Sequence, residues 1–178
     1  MPNNLTNPGL AFNAHGELMI TPSETSSPND FDFLVGQWEI QNRKLQMRLN
    51  NCDTWLEFEA RGEMSKILLG IGNRDSFKTD FDGKPFEGMS LRLFNPATKL
   101  WRIYWADSNV GVLDPPVVGS FSGNIGTFFT KDIFNGEPIL VKFQWDKTDP
   151  AKPVWSQAFS PDNGKTWEWN WYMYHHRV

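Results

Sequence analysis

The chain of 178 residues carries 21 acidic against 17 basic side chains, a formal net charge of −4, so it offers no basic stripe for phosphates, which argues against nucleic acid as a partner. Cys52 is the only cysteine, which excludes an intramolecular disulfide and a cysteine-rich zinc site and suits a reducing cytoplasm. One domain is the expectation at this length, and 14 Phe with 9 Trp supply aromatic area either to fill a barrel or to line a cavity.

Residues 1–29 are rich in Asn, Pro, Ser and Thr, with one short apolar patch at 18–20. They read as a partly ordered tail draped on the rest of the protein or on a partner subunit. The N-terminus has neither a basic region nor an apolar run, so no signal peptide is expected, and no later segment approaches ~18 apolar residues. A cytoplasmic protein without a membrane partner is the expectation. His15 in this tail reads as solvated.

Residues 30–178 read as a single β-barrel domain. Pro28 and Asp30 stand where a short helical turn would begin, Phe31, Phe33 and Leu34 give it apolar contacts, Gly36 breaks it and Trp38 opens a strand. Strands are then expected at 36–47, 53–62, 64–71, 86–95, 99–107, 117–122, 125–134, 138–146, 153–160 and 166–177. Turn pairs such as Asp82-Gly83 and Asn135-Gly136 separate them. No helical stripe of apolar residues persists for three turns. The fold class is therefore all-β, an antiparallel meander of about eight to ten strands closed into a barrel to remove its edges.

Side chains alternate between faces along a strand. In the last strand Trp167, Trp169, Trp171, Met173, His175 and Arg177 share the face expected to line the lumen. Trp101 and Trp105, and Ile139, Val141, Phe143 and Trp145, are expected inside as well. For 53–62 the face of Leu56, Phe58, Ala60 and Gly62 is favoured as buried over that of Trp55, Glu57, Glu59 and Arg61.

With Gly36 and Trp38 as Gly-x-Trp on the first strand and Arg177 on the last, the chain resembles the calycins, the lipocalin and fatty-acid-binding-protein group. That resemblance implies a barrel whose late arginine lies across the first-strand tryptophan. Together with Leu-Asp-Pro-Pro at 113–116 and Asp-Asn-Gly-Lys-Thr-Trp at 162–167, the chain is similar to an uncharacterised bacterial lipocalin-like family. This implies a fold and a generic binding role but names no ligand.

Within 160–167, Ser160, Asp162, Gly164, Thr166 and Trp167 look like the Asp-box of sialidases and related β-proteins, which implies a structural hairpin. The run 108–119 is long, apolar and stiffened by Pro115 and Pro116, so it is either a lid over the barrel mouth or a rigid cover packed by Val112, Leu113 and Val117. His175 and His176 are adjacent on a strand and leave on opposite faces, so they cannot share a metal ion. His175 is instead a candidate lone haem ligand, as in the nitrobindins, although Glu-Ile-Gln-Asn after Trp38 departs from that family's glycine-rich first strand. Glu57 and Glu59 read as a solvated face. No nucleophile constellation or nucleotide loop appears, and no catalytic residue is assigned.

Asn42 and Lys44 share the parity of Trp38 and bring polar groups toward an aromatic lumen. The expected ligand set is Asn42, Lys44, Trp101, Trp105, Trp145, Trp169, Trp171, Met173 and His175, holding a small apolar or amphipathic molecule. Two other readings stand beside it. One is an enzyme that uses the cavity; the other is a filled barrel whose outward Tyr104, Tyr172 and Tyr174 form a homodimer surface.

Overall fold

In the computed structural model, which describes residues 9–178, ten antiparallel strands close into a barrel and a two-stranded hairpin lies beside it. The hairpin pairs β1 (Leu10–Phe12) with β2 (Leu18–Ile20). The barrel comprises β3 (Gly36–Leu45), β4 (Trp55–Ile67), β5 (Gly72–Phe81), β6 (Lys84–Asn95), β7 (Leu100–Asp107), β8 (Val117–Ser122), β9 (Ile125–Phe134), β10 (Glu137–Asp146), β11 (Val154–Ser160) and β12 (Glu168–Arg177). Each strand pairs with its sequence neighbours, and β12 pairs back on β3. An even number of strands lets such a meander close antiparallel and leaves no free edge. Tight turns make this possible: Asp82-Gly83 and Asn135-Gly136 have both residues at positive φ, the twist that matches a two-residue hairpin.

Two expectations about the strands are corrected. The strands expected at 53–62 and 64–71 merge into one, β4, because Gly62 and Met64 keep the inward alternation across Glu63, and it ends at Ile67 before the 3₁₀ turn Leu68–Gly70. Conversely, β5 lies where no strand was expected. Its sequence Gly-Asn-Arg-Asp-Ser-Phe-Lys-Thr-Asp-Phe is polar on both faces, which hides the period of two.

The barrel floor is built around the 3₁₀ turn Asp32–Leu34. Phe31 is 1% exposed and meets Trp101 and Phe121 edge-on at 4.9 and 5.0 Å while stacking on Phe128. Trp38 donates its Nε1 hydrogen to the Leu34 carbonyl at 2.7 Å. Arg177 lies 4.2 Å over the Trp38 ring and donates to the carbonyls of Val35 and Phe33 at 2.8 and 2.9 Å. At the surface such a stack contributes about 0.5–1 kcal/mol, and the two hydrogen bonds pin the turn to the last strand. Gly36 has φ 115°, and a Cβ there would stand 3.0 Å from the Arg177 guanidinium, so glycine is required twice over.

The described part of the tail, residues 9–29, is strapped along the barrel. Lys131 donates to the Gly16 carbonyl, the Ser23 amide to Ser120 Oγ and Ser26 Oγ to the Lys99 carbonyl. Residues 1–8 of the expected tail lie outside the described residues. Among the described residues no helix is long and apolar enough to cross a membrane.

Candidate binding site in the barrel lumen

The inward residues of the ten strands do not meet in the middle; they enclose a cavity of about 300 Å³, at the small end of the ~300–1,000 Å³ usual for small-molecule sites. Its walls are mostly aromatic. Phe77 and Trp105 stand on one side, and Phe143, Trp145, Trp155, Phe159 and Trp171 on the other. The rings brace one another: Phe143 and Trp155 meet edge-on at 4.9 Å and Trp155 and Trp171 at 5.6 Å. Trp105 owes its place to Gly88, where a Cβ would come within 2.2 Å of the indole.

The floor of the cavity is polar. Arg92, 3% exposed, pairs with Asp75 at 2.5 Å and donates to Asn73 Oδ1 at 3.1 Å. The Ser90 amide donates to the other Asp75 oxygen at 2.9 Å. A lone guanidinium would be very costly among the rings of Phe31 and Trp145, 5.1 and 5.8 Å away; Asp75 keeps the group neutral as a pair. Beside it His175, 6% exposed, is edge-on to Trp38 at 5.9 Å and tilted on Trp145 at 5.1 Å. Its Nδ1 is buried without a hydrogen-bond partner. Burial pushes the imidazole pKa down to about 4 against the opposing pull of Asp75, so the ring is neutral at pH 7.

His175 stands among Trp38, Trp145 and the Asp75–Arg92 pair, in the wall of the cavity. Among the described residues no group of three or more His, Cys, Asp or Glu stands together to hold a metal ion.

The mouth is basic on one side. Lys44 faces Trp171 across the β3–β12 pair, with Nζ 4.0 Å from the ring centroid. The Trp171 Nε1 hydrogen is donated to Asn42 Oδ1 at 3.0 Å. From the β3–β4 loop Arg48 reaches over Phe134 and Phe159 at 5.0 and 5.3 Å and enters the cavity wall. Burial, helped by the neighbouring Arg48 charge, lowers the Lys44 pKa to about 8; burial also lowers that of Arg48, against the pull of Glu168. The Glu168 carboxylate is engaged by the Leu49 amide at 2.8 and 3.0 Å. The opposite side is acidic: burial, then Asp132 and Asp107, raise the pKa of Asp114.

Of the expected ligand set, Trp105, Trp145, Trp171, Met173 and His175 stand in the cavity wall. Asn42 and Lys44 are not in the wall themselves; each contacts the wall residue Trp171. Two positions are corrected. Trp101, 1% exposed, belongs to the floor core, where its Nε1 donates to the Ser27 carbonyl and Asp30 Oδ2. Trp169 lies outside the barrel. The register steps from Gln157 opposite Trp171 to Ala158 opposite Trp169, so Asn170 is an extra, bulged residue and the parity reverses on its far side. Trp169 therefore stacks on Tyr172 at 6.4 Å and Trp167 packs on Phe129 at 6.0 Å, while buried Asn170 accepts a hydrogen bond from Gln157 at 2.9 Å.

Asp162 is far from the lumen chemistry. Its carboxylate accepts from the Thr166 amide and hydroxyl and from Ser160 Oγ at 2.9, 2.7 and 2.8 Å, and Gly164 turns the hairpin at φ 85°. Of the two adjacent histidines, His176 lines a separate groove with Glu39, Glu59, Arg61 and Lys78. In the loop 108–116, Asp114 and Pro115 touch the cavity, whereas Val112 and Leu113 are exposed and only Val117, already in β8, is buried.

Sequence reasoning missed Asp75, Arg92, Arg48, Trp155 and Phe77. A signal existed for Arg92: beyond Lys84 at the strand's start, it is the one charge on a face otherwise made of Phe86, Gly88, Ser90 and Phe94. Compared with known proteins, the chain matches no family model and none of the curated proteins. The closed antiparallel barrel is consistent with the lipocalin-like fold implied by Gly36, Trp38 and Arg177.

Proposed function

We propose that this protein binds a small, largely apolar or amphipathic molecule in the barrel lumen, as a lipocalin-like binding protein. The observation that carries the reading is the cavity of about 300 Å³, held open by mutually braced aromatic rings with a few polar groups at its two ends. Binding is burial plus orientation: each Å² of ligand apolar surface removed from water contributes roughly 25 cal/mol, and rigid rings lose little rotamer freedom in supplying the wall.

Native mass spectrometry of the protein taken from its own cells tests this. The expected result is a small organic adduct that leaves on denaturation, or a bare protein that takes up the uncharged probe N-phenylnaphthylamine in equimolar amount. A bare protein that refuses the probe overturns the reading and favours the barrel as an assembly module. An adduct of haem mass with Soret absorbance overturns it in favour of haem at His175.

A further inference from the structure

We propose that Lys44 and Arg48 form an anion subsite at the barrel mouth, so that the ligand of the lumen is an amphipathic anion: an apolar body with one carboxylate, sulfate or phosphate group. The inference rests on lumen binding and names the ligand class. Lys44 Nζ sits on the Trp171 ring and Arg48 over Phe159, and both rings are cavity wall, so the two cations stand where the apolar body would end. The ion pairs among the described residues are Arg61–Glu39, Lys66–Asp32, Lys78–Glu87 and Arg92–Asp75; none neutralises Lys44 or Arg48.

Two like charges are thus held together, partly desolvated, over aromatic faces. Glu168, whose charge pulls on Arg48, is held by the Leu49 amide and forms no ion pair with either cation. Each cation disfavours the other, and an anion between them relieves both at once. The other charges of the wall are engaged elsewhere: Arg92 is paired with Asp75, His175 is uncharged, Lys131 donates to the Gly16 carbonyl beside Phe12, and across the mouth Asp114 and Asp132 repel an anion. The charged end therefore stays at the β3–β12 side of the mouth and the apolar end points to His175.

The test compares anilinonaphthalene sulfonate with its uncharged parent, N-phenylnaphthylamine, by fluorescence titration. The sulfonate is expected to bind about tenfold or more tightly than the parent, and Lys44→Met and Arg48→Met each to remove about that preference, the sulfonate losing far more affinity than the parent. Arg48 from the loop acts on Lys44, Glu168 from β12 acts on Arg48, and the β4 and β12 neighbours of Lys44 are Leu56 and Trp171. Sulfonate affinity is accordingly expected to fall as pH rises through about 8, where Lys44 loses its proton. Lys44→Arg is expected to keep the affinity and abolish that fall, which supports the subsite even where Lys44→Met fails to fold. Equal affinity for the two probes, equal losses for both in the Met variants, or sulfonate that the parent cannot displace, overturns the anion subsite. Failure of both probes overturns lumen binding instead.

Discussion

His175 joins the floor chemistry to the stability of the whole fold. Folded His175 takes a proton only near pH 4, whereas in an unfolded chain a histidine does so near ~6.5. As pH falls through that window the unfolded state binds the proton first, so the folded state loses stability, by on the order of 3 kcal/mol when the window has been crossed. His175→Phe keeps a ring in the same slot and removes the titration. Urea unfolding at roughly pH 7 and pH 4.5 should therefore show a steep loss for the native chain and a much shallower one for the variant; parallel losses would mean that His175 is not the group responsible. The lowered carboxylate of Asp162, near 2 and held down first by Thr166, acts in a lower window. Its contribution is present above the ordinary ~3.9 of an aspartate and fades as pH falls toward 2, so the two effects separate on the pH axis.

At the scale of elements, the bulge at Asn170 decides which tryptophans can see a ligand. Trp171 should be quenched by N-phenylnaphthylamine and Trp169 much less, because the first is cavity wall and the second stacks on Tyr172 outside. Trp171→Phe is expected to remove a large share of the quenching and Trp169→Phe little, as steady-state emission would show; the reverse would restore an unbroken alternation through 167–177. This is also where the sequence stopped being legible. The strands with tight Asn-Gly and Asp-Gly turns, and the Gly36–Trp38–Arg177 floor, could be read because local conformation and the period of two agree there. A bulge inserts one residue without a strong local signature, so the alternation read from Trp171 put Trp169 and Trp167 on the wrong face. In β5 the inward face itself carries Asn73 and Asp75, which satisfy Arg92 rather than the apolar core. A strand whose buried face is polar has no hydrophobic pattern to read, and with β5 went half of the floor ion pair.

In the molecule as a whole, ladder length around the barrel is uneven. β5 and β6 pair from Gly72 to Phe81, but β7 and β8 pair only through Trp101, Ile103 and the residue between them. Above that short ladder Tyr104–Asp107 on one side and Thr130–Phe134 on the other lack a common strand, and the loop 108–116 bridges the gap, with the Asp114 amide donating to the Trp105 carbonyl at 2.8 Å. Asp114 and Pro115 are cavity wall at this point, together with Thr130 and Asp132. Few backbone bonds hold this wall, so it opens at lower cost than the continuous ladders elsewhere. Pro115 and Pro116 restrict that opening by limiting the loop's backbone freedom. Replacing both by glycine should raise the association and dissociation rates of N-phenylnaphthylamine together, severalfold, with little change in equilibrium affinity, because a gate alters the barrier and not the bound state. Stopped-flow fluorescence measures both rates. Unchanged rates would mean that ligand passes the basic side of the mouth, between the β3–β4 loop and the β11–β12 hairpin, without movement of the 108–116 side.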